Sequence, residues 1–175
     1  MDIKIRQEKS LDYDQVEHTI KNAFKEEKHS DQTEHLLVGR LRKSTHFIPE
    51  LSIVAEKDGK VIGHILLSKV TIENERKIFN SLGLAPVSVL PVYQKQGIGS
   101  KLIIAAHNKA LQLGYDSVVL LGHEDYYTRF GYKLSKNFGI KFPFKAPEEN
   151  CFVLELKKDS LKEVSGTVKY PMEFF

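Results

Sequence analysis

"LPVYQKQGIGSKLI", Leu90 to Ile103, sets two glycines between a β-rich run and an apolar periodic one. The residues at the junction are Gln94, Lys95, Gln96, Gly97, Ile98, Gly99 and Ser100. The first N–H groups of a helix have no partner inside it, and the helix dipole adds partial positive charge there. Glycine removes Cβ, so anionic oxygens can come close to the main chain. Gln94 and Gln96 add amide donors and Lys95 adds a cation. Two readings follow: a tight turn that only starts a helix, or a cradle for a pyrophosphate.

Two familiar phosphate motifs fail on spacing. A dinucleotide fingerprint needs a third glycine three residues after Gly99, where Leu102 stands. A P-loop needs Gly-Lys followed by Ser or Thr, but the order is Gly99-Ser100-Lys101.

Working outward, "KIFNSLGLAPVSVLPV" (77–92) reads as a strand leading into the turn, and "GIGSKLIIAAHNKALQLGY" (97–115) as a helix stopped by Gly114. "DSVVLLG" (116–122) reads as a buried strand. "HEDYYTRFGYKL" (123–134) reads as a short helix, a stop at Gly131, and a strand from Tyr132. Upstream, "ELSIVAEKDGKVIGHILLSKVTI" (50–72) is a hairpin around Asp58-Gly59, a dipeptide suited to left-handed turn conformations.

Before it come a short strand, "DIKIR" (2–6), and two helices. The first has Val16, Ile20, Ala23 and Phe24 at helical spacing, with Ser10 or Asp12 as cap; the second has Asp31 as cap and Leu37 and Leu41 four apart. Downstream, "IKFPFKAPEENC" (140–151) reads as a loop, "CFVLELK" (151–157) as a late strand and "GTVKYPMEFF" (166–175) as a tail. The order is β-α-α-β-β-β-α-β-α-β-β. That predicts one domain, 1–175, of α/β (α+β mixed) class with a mixed sheet.

Composition narrows the function. The chain has 175 residues, 41% hydrophobic and 28% charged, with a net charge of +3. No basic block marks a nucleic-acid partner. The single cysteine, Cys151, excludes an internal disulfide and a Cys-rich metal site, and fits a reducing, cytoplasmic setting. The seven histidines show no metal-ligand spacing. No signal core and no apolar run of the ~20 residues a membrane span needs is present.

The segment Gln94-Lys95-Gln96-Gly97-Ile98-Gly99 resembles the Gln/Arg-x-x-Gly-x-Gly/Ala motif of the GNAT N-acetyltransferase superfamily. "VSVLPVY" before it resembles that family's Val-x-Pro strand end, and "YYTRFGY" resembles its Tyr-x-x-x-Gly-Phe element, with Tyr132 replacing Phe. The tail "GTVKYPMEF" resembles a bacterial branch of predicted acetyltransferases.

The resemblance implies a GNAT-like fold, a central mostly antiparallel mixed sheet flanked by helices, and acetyl-CoA as co-substrate. It implies pyrophosphate on the amides from Lys95 to Ser100, and pantetheine paired with the main chain near Val87 and Val89. One of those N–H groups would face the thioester oxygen. Pro86 has no N–H, so donors lie after it. Tyr127 takes the general-acid position; Tyr126 is one residue too far from Gly131.

The expected activity is acetyl transfer to an amine, small molecule or protein, by direct attack in a ternary complex. The alternative is a non-catalytic acyl-CoA-binding regulatory module. The base stays open among His123, Glu124, Glu34, His35 and water, with His64 read as a half-buried imidazole. Arg129 reads as a solvent-facing charge before a phosphate contact. The family often carries Asn where this chain has Leu121 and Gly122.

Overall fold

Asp58 and Gly59 both take the left-handed conformation, φ 50° and 74°, in a computed structural model of the chain that describes residues 2–175. Two such residues in succession give a hairpin turn whose twist matches the strands it joins. The turn links β2 (Ser52–Lys57) to β3 (Lys60–Glu73), paired antiparallel from Ser52↔Leu66 to Lys57↔Lys60.

The chain forms two compact units. The first comprises residues 1–67 and 85–109. Here β1 (Lys4–Gln7) pairs antiparallel with β2, and the C-terminal part of β4 (Ile78–Val89) follows β3 in strand order. Adjacent residues of β3 point to opposite faces. Gly63 lies against Leu102 of α3 (Ile98–Gln112). His64, on the other face, joins a polar cluster that includes Arg42 of α2 (Glu34–Arg42). Between β1 and α2 in sequence, α1 (Tyr13–Phe24) buries Val16 and Ile20, and its Thr19 hydroxyl donates to the Val61 carbonyl at 3.1 Å.

The helix starts differ from the simple capping picture. Asp12 stands at the N-cap position of α1, but its side chain makes no capping bond there. Its carboxylate takes the Lys9 N–H at 2.7 Å and a two-pronged pair from Arg6 at 2.7 and 2.9 Å. Arg6, together with the Lys9 amide, holds the Asp12 carboxyl below its usual range. Asp31 does not cap α2 either; it accepts the Thr33 N–H and hydroxyl at 2.9 and 2.6 Å, a local turn that precedes the helix.

The second unit comprises residues 68–84 and 110–175. There β4 pairs parallel with β5 (Ser117–Leu121) at Leu82↔Val118 and Gly83↔Val119. β5 pairs antiparallel with β8 (Cys151–Glu155), which pairs with β6 (Lys133–Leu134). The short helix α4 is Glu124–Tyr127.

Two strands go beyond the expected order: β7 (Ile140–Lys141), and β9 (Gly166–Lys169), which pairs with β3 at Thr71↔Lys169. The segment read as a tail is thus a strand. Gly166 makes this possible: at φ 135° a Cβ would overlap the Glu73 carbonyl. Its core packs Val70, Ile72, Val119, Ile140, Val153, Leu161 and Val168, with Phe142 and Tyr170 against it. The architecture is the mostly antiparallel mixed sheet flanked by helices that the family resemblance implies.

Buried imidazoles set the acid response. Burial pushes His64 down to about 3, with Arg42 adding to the effect, and burial pushes His107 down to about 4. Both stay neutral when folded and protonate near 6.5 when unfolded. Stability should therefore be intact above pH 6.5 and fall as pH drops toward 4, by up to about 1.4 kcal/mol per pH unit for each group. Urea unfolding at pH 7.5 and 5.0 measures this. His107→Gln should flatten the loss; an unchanged pH dependence would refute the assignment.

Candidate functional site

The candidate site starts where β4 ends. Leu90 N–H donates to the Ile62 carbonyl at 2.9 Å, closing the ladder with β3. Pro91–Tyr93 makes one tight turn, and Gln94 returns to extended backbone. Lys95 and Gly97 then take the left-handed conformation, φ 60° and 77°. Alternating hands of backbone turn successive N–H groups toward one side, a geometry suited to anions.

Lys101 N–H donates to the Gly97 carbonyl at 3.1 Å, the first helical bond of α3. The amides of Ile98, Gly99 and Ser100 precede that ladder, so the helix itself offers them no acceptor. The first turn carries no acidic residue. Ile98, buried at 1% exposure, and Leu102, fully buried, anchor the helix start in the core.

Each expected binding residue has a definite place. Gln94, Lys95, Gln96 and Gly97 are exposed; Gly99 and Ser100 are half-buried. The two glutamines serve first as braces: Gln94 Nε2 donates to the Val89 carbonyl at 3.1 Å and Gln96 Nε2 to the Val92 carbonyl at 3.2 Å. Val87 and Val89 are half-buried around buried Ser88. In an extended strand a residue's N–H and C=O share one edge. Val89 N–H therefore lies on the edge that Gln94 touches, opposite the edge that bonds Ile62, and Val87, two residues earlier, shares it. This junction, from residue 85 at the end of β4 to the first turns of α3, lies within the first unit.

Tyr127 belongs to the second unit. It is 9% exposed, and its ring meets Tyr126 edge-on at 4.9 Å and Tyr132 at 5.7 Å. Burial, with a smaller contribution from Tyr126, raises its pKa far above the usual phenol value, so the proton stays on the oxygen. Gly122 explains the missing Asn in part: a Cβ there would overlap the Tyr127 ring. No sequence signal tied Gly122 to Tyr127; only packing does. Arg129 stacks over the Tyr126 and Phe130 rings at 4.2 and 4.9 Å, a cation–π role.

The candidate bases separate. His64 is fully buried, not half-buried as its hairpin position suggested. Ser52 Oγ donates to Glu8 at 2.6 Å and so accepts from His64 Nε2–H at 2.9 Å. That fixes the proton on Nε2 and leaves Nδ1 as a buried acceptor without a partner among the described residues. With its pKa near 3, His64 is no base for an amine. Glu34 is held by the Ser30 hydroxyl and His35 is half-buried, while His123 and Glu124 are exposed. Among the described residues no cluster of acidic, histidine or cysteine side chains suits a metal ion, and no helix is long and apolar enough to cross a membrane.

The fold is that of known acetyltransferases. The acetyltransferase (GNAT) domain model matches residues 48–134. Two relatives from Escherichia coli (strain K12), both of uncharacterised activity, are similar in sequence. The N-acetyltransferase YjhQ is 34% identical over 68% of this chain and 67% of its own length. YhbS is 32% identical over 71% of this chain and 74% of its own length. The crystal structure of E. coli YhbS in complex with CoA has a TM-score of 0.89 and 28% identity, covering 98% of this chain and 91% of that one. A GNAT acetyltransferase from Brucella melitensis in complex with acetyl-CoA has a TM-score of 0.82 and 34% identity, covering 99% of each chain. The chain belongs to the GNAT N-acetyltransferase family.

Two glycines test the local argument. Gly97→Ala forces an L residue into the left-handed region and should cost about 1 kcal/mol. Gly122→Ala pushes the Tyr127 ring from its seat and should cost about 1–3 kcal/mol. Chemical denaturation measures both; a neutral Gly122→Ala would mean that the ring has room to spare.

Proposed function

We propose that this protein transfers an acetyl group from acetyl-CoA to a primary amine by direct attack within a ternary complex. The observation that carries the proposal is the set of amides at the start of α3 outside the helical ladder, with left-handed turns at Lys95 and Gly97 and no carboxylate in the first turn. Donors of that kind suit a pyrophosphate, and a Cβ at Gly97 would meet nothing within 4 Å, so the approach is open. The complexes of YhbS with CoA and of the Brucella enzyme with acetyl-CoA support the same ligand here.

In this reading residues 95–100 hold the pyrophosphate through backbone N–H. Main-chain groups of Val87 and Val89 pair with the pantetheine as an added strand would. One of those N–H groups donates to the thioester oxygen as charge builds on it. The neutral amine attacks the carbonyl carbon, a C–N bond forms, and the C–S bond breaks. The departing sulfur takes a hydrogen bond from Tyr127. A phenol at roughly 10 outside the protein is a weaker acid than a thiol at roughly 8.5, and burial widens that gap, so Tyr127 donates a hydrogen bond rather than surrendering its proton. The proton released by the amine goes to solvent.

Free thiol released from acetyl-CoA in the presence of an amine panel is the direct assay. Tyr127→Phe should lower kcat at least tenfold and leave CoA affinity within twofold. A CoA titration followed by NMR should shift the amides of residues 95–100; unmoved amides there would overturn the site. kcat/KM should rise with pH as the acceptor amine loses its proton, with no alkaline limb from Tyr127 below about pH 10.

A further inference from the structure

The second unit contains a cavity that the proposed chemistry leaves unused. It has a volume of about 330 Å³, within the range of small-molecule sites, and the chain from Ser135 to Cys151 folds around it. Its lining is mixed in a defined way. Ile140, 2% exposed, and Cys151, 6% exposed, are buried. Phe142 and Phe144 are half-buried aromatic surfaces. Those two rings are braced: Phe142 lies 6.3 Å from Tyr170, and Phe144 lies 4.9 Å from Tyr170 and 5.3 Å from Phe175. An aromatic surface held in this way is ready for a flat or branched apolar group, at little further ordering cost.

The charges in the lining are Lys136, Lys141 and Glu148. Lys136 meets Glu148 at 3.6 Å with both side chains largely exposed, a pair that binds weakly and exchanges easily. Lys141 is exposed and makes no ion pair among the described residues. Among the lining residues two ammonium groups stand against one carboxylate, and Glu149, outside the lining, also acts on the Cys151 thiol. Cys151 adds no charge: burial, with Glu148 and Glu149, raises the thiol pKa and keeps the sulfur neutral. The Cys151 S–H contacts the Pro147 carbonyl at 3.5 Å, so the thiol is a packed neutral surface. Ser135, a buried polar residue, also lines the cavity.

We propose that this cavity is a binding site for a small monocarboxylate with an aromatic or branched apolar body. The apolar body packs against Phe142, Phe144 and Ile140, and the carboxylate meets Lys141 with Lys136 in reserve. An amine of the same shape finds two like charges there and is disfavoured. The site lies wholly within residues 135–151 and stands independently of the acyl-CoA assignment.

The test uses 3-phenylpropionate as probe, with 3-phenylpropan-1-amine as its charge-reversed twin, on the full chain. Titration with the acid, followed by backbone NMR, should shift amides within residues 135–151 and leave residues 95–100 unmoved. The amine should bind at least fivefold more weakly. Lys136→Glu with Lys141→Glu, both on exposed residues, should weaken the acid at least fivefold and leave the fold intact by circular dichroism. Because Cys151 is the sole cysteine, the bound acid should also slow its modification by a small thiol reagent several-fold. Equal binding of acid and amine, shifts confined to residues 95–100, no shift at millimolar acid, or undiminished binding by the double variant would each overturn the proposal.

Discussion

The amides at the start of α3 constrain this protein more than any side chain does. A helix cannot satisfy its own first N–H groups, and a buried helix start normally recruits a capping side chain. Here Ile98 and Leu102 are buried, yet no acidic residue stands in the first turn. The left-handed turns at Lys95 and Gly97 hold the preceding chain in a shape that leaves those donors together. Gln94 and Gln96 stiffen it by bonding back to Val89 and Val92. The result is a cluster of main-chain donors left outside the helical ladder, which needs residues that tolerate positive φ and a helix start anchored in the core.

The first unit holds its sheet and helices together with an unusual amount of buried charge. Arg42 pairs with Glu8, Glu8 accepts from Ser52, and Ser52 accepts from His64. Arg42 also stacks over Tyr13 at 4.0 Å. Such a chain places α2 on one face of β3 by geometry as well as by apolar contact. Its net stabilisation is modest, because each buried charge gives up water, but breaking one partner strands the rest. His64 Nδ1, without a partner among the described residues, adds a cost of about 1–3 kcal/mol that the rest of the cluster offsets. Neutral His64 is therefore a condition of folding rather than a participant in proton transfer.

In the second unit, aromatic packing does the equivalent work. Tyr127 sits against Gly122, Tyr126 and Tyr132, and the tail residues Tyr170 and Phe175 back the rings of Phe142 and Phe144. Burial keeps the Tyr127 proton in place, which favours hydrogen-bond donation over ionisation. The same tail that supplies β9 thus supports the aromatic wall of the cavity near Cys151.

Local chemistry made much of this readable in advance. The Asp58-Gly59 turn, the strand before Pro91, the glycine junction and the apolar face of α3 depend on backbone preference and short-range periodicity, which the residues carry with them. The two extra strands were not readable: β7 spans two residues, and β9 depends on Gly166 approaching Glu73 from far along the chain. Asp12 stands at the cap position and Asp31 looked like a cap, but Arg6 with the Lys9 amide, and Thr33, claimed their carboxylates. His64 looked half-buried because burial on both sides of a strand is a property of what packs there. The amino-acid order alone pointed to the family, to the glycine junction and to most of the element types. Only the tertiary structure decided which carboxylates are occupied, that His64 stays neutral, why residue 122 is glycine, and where the cavity near Cys151 opens. Each of those depends on neighbours brought together by the fold, whose identity no local window of sequence contains.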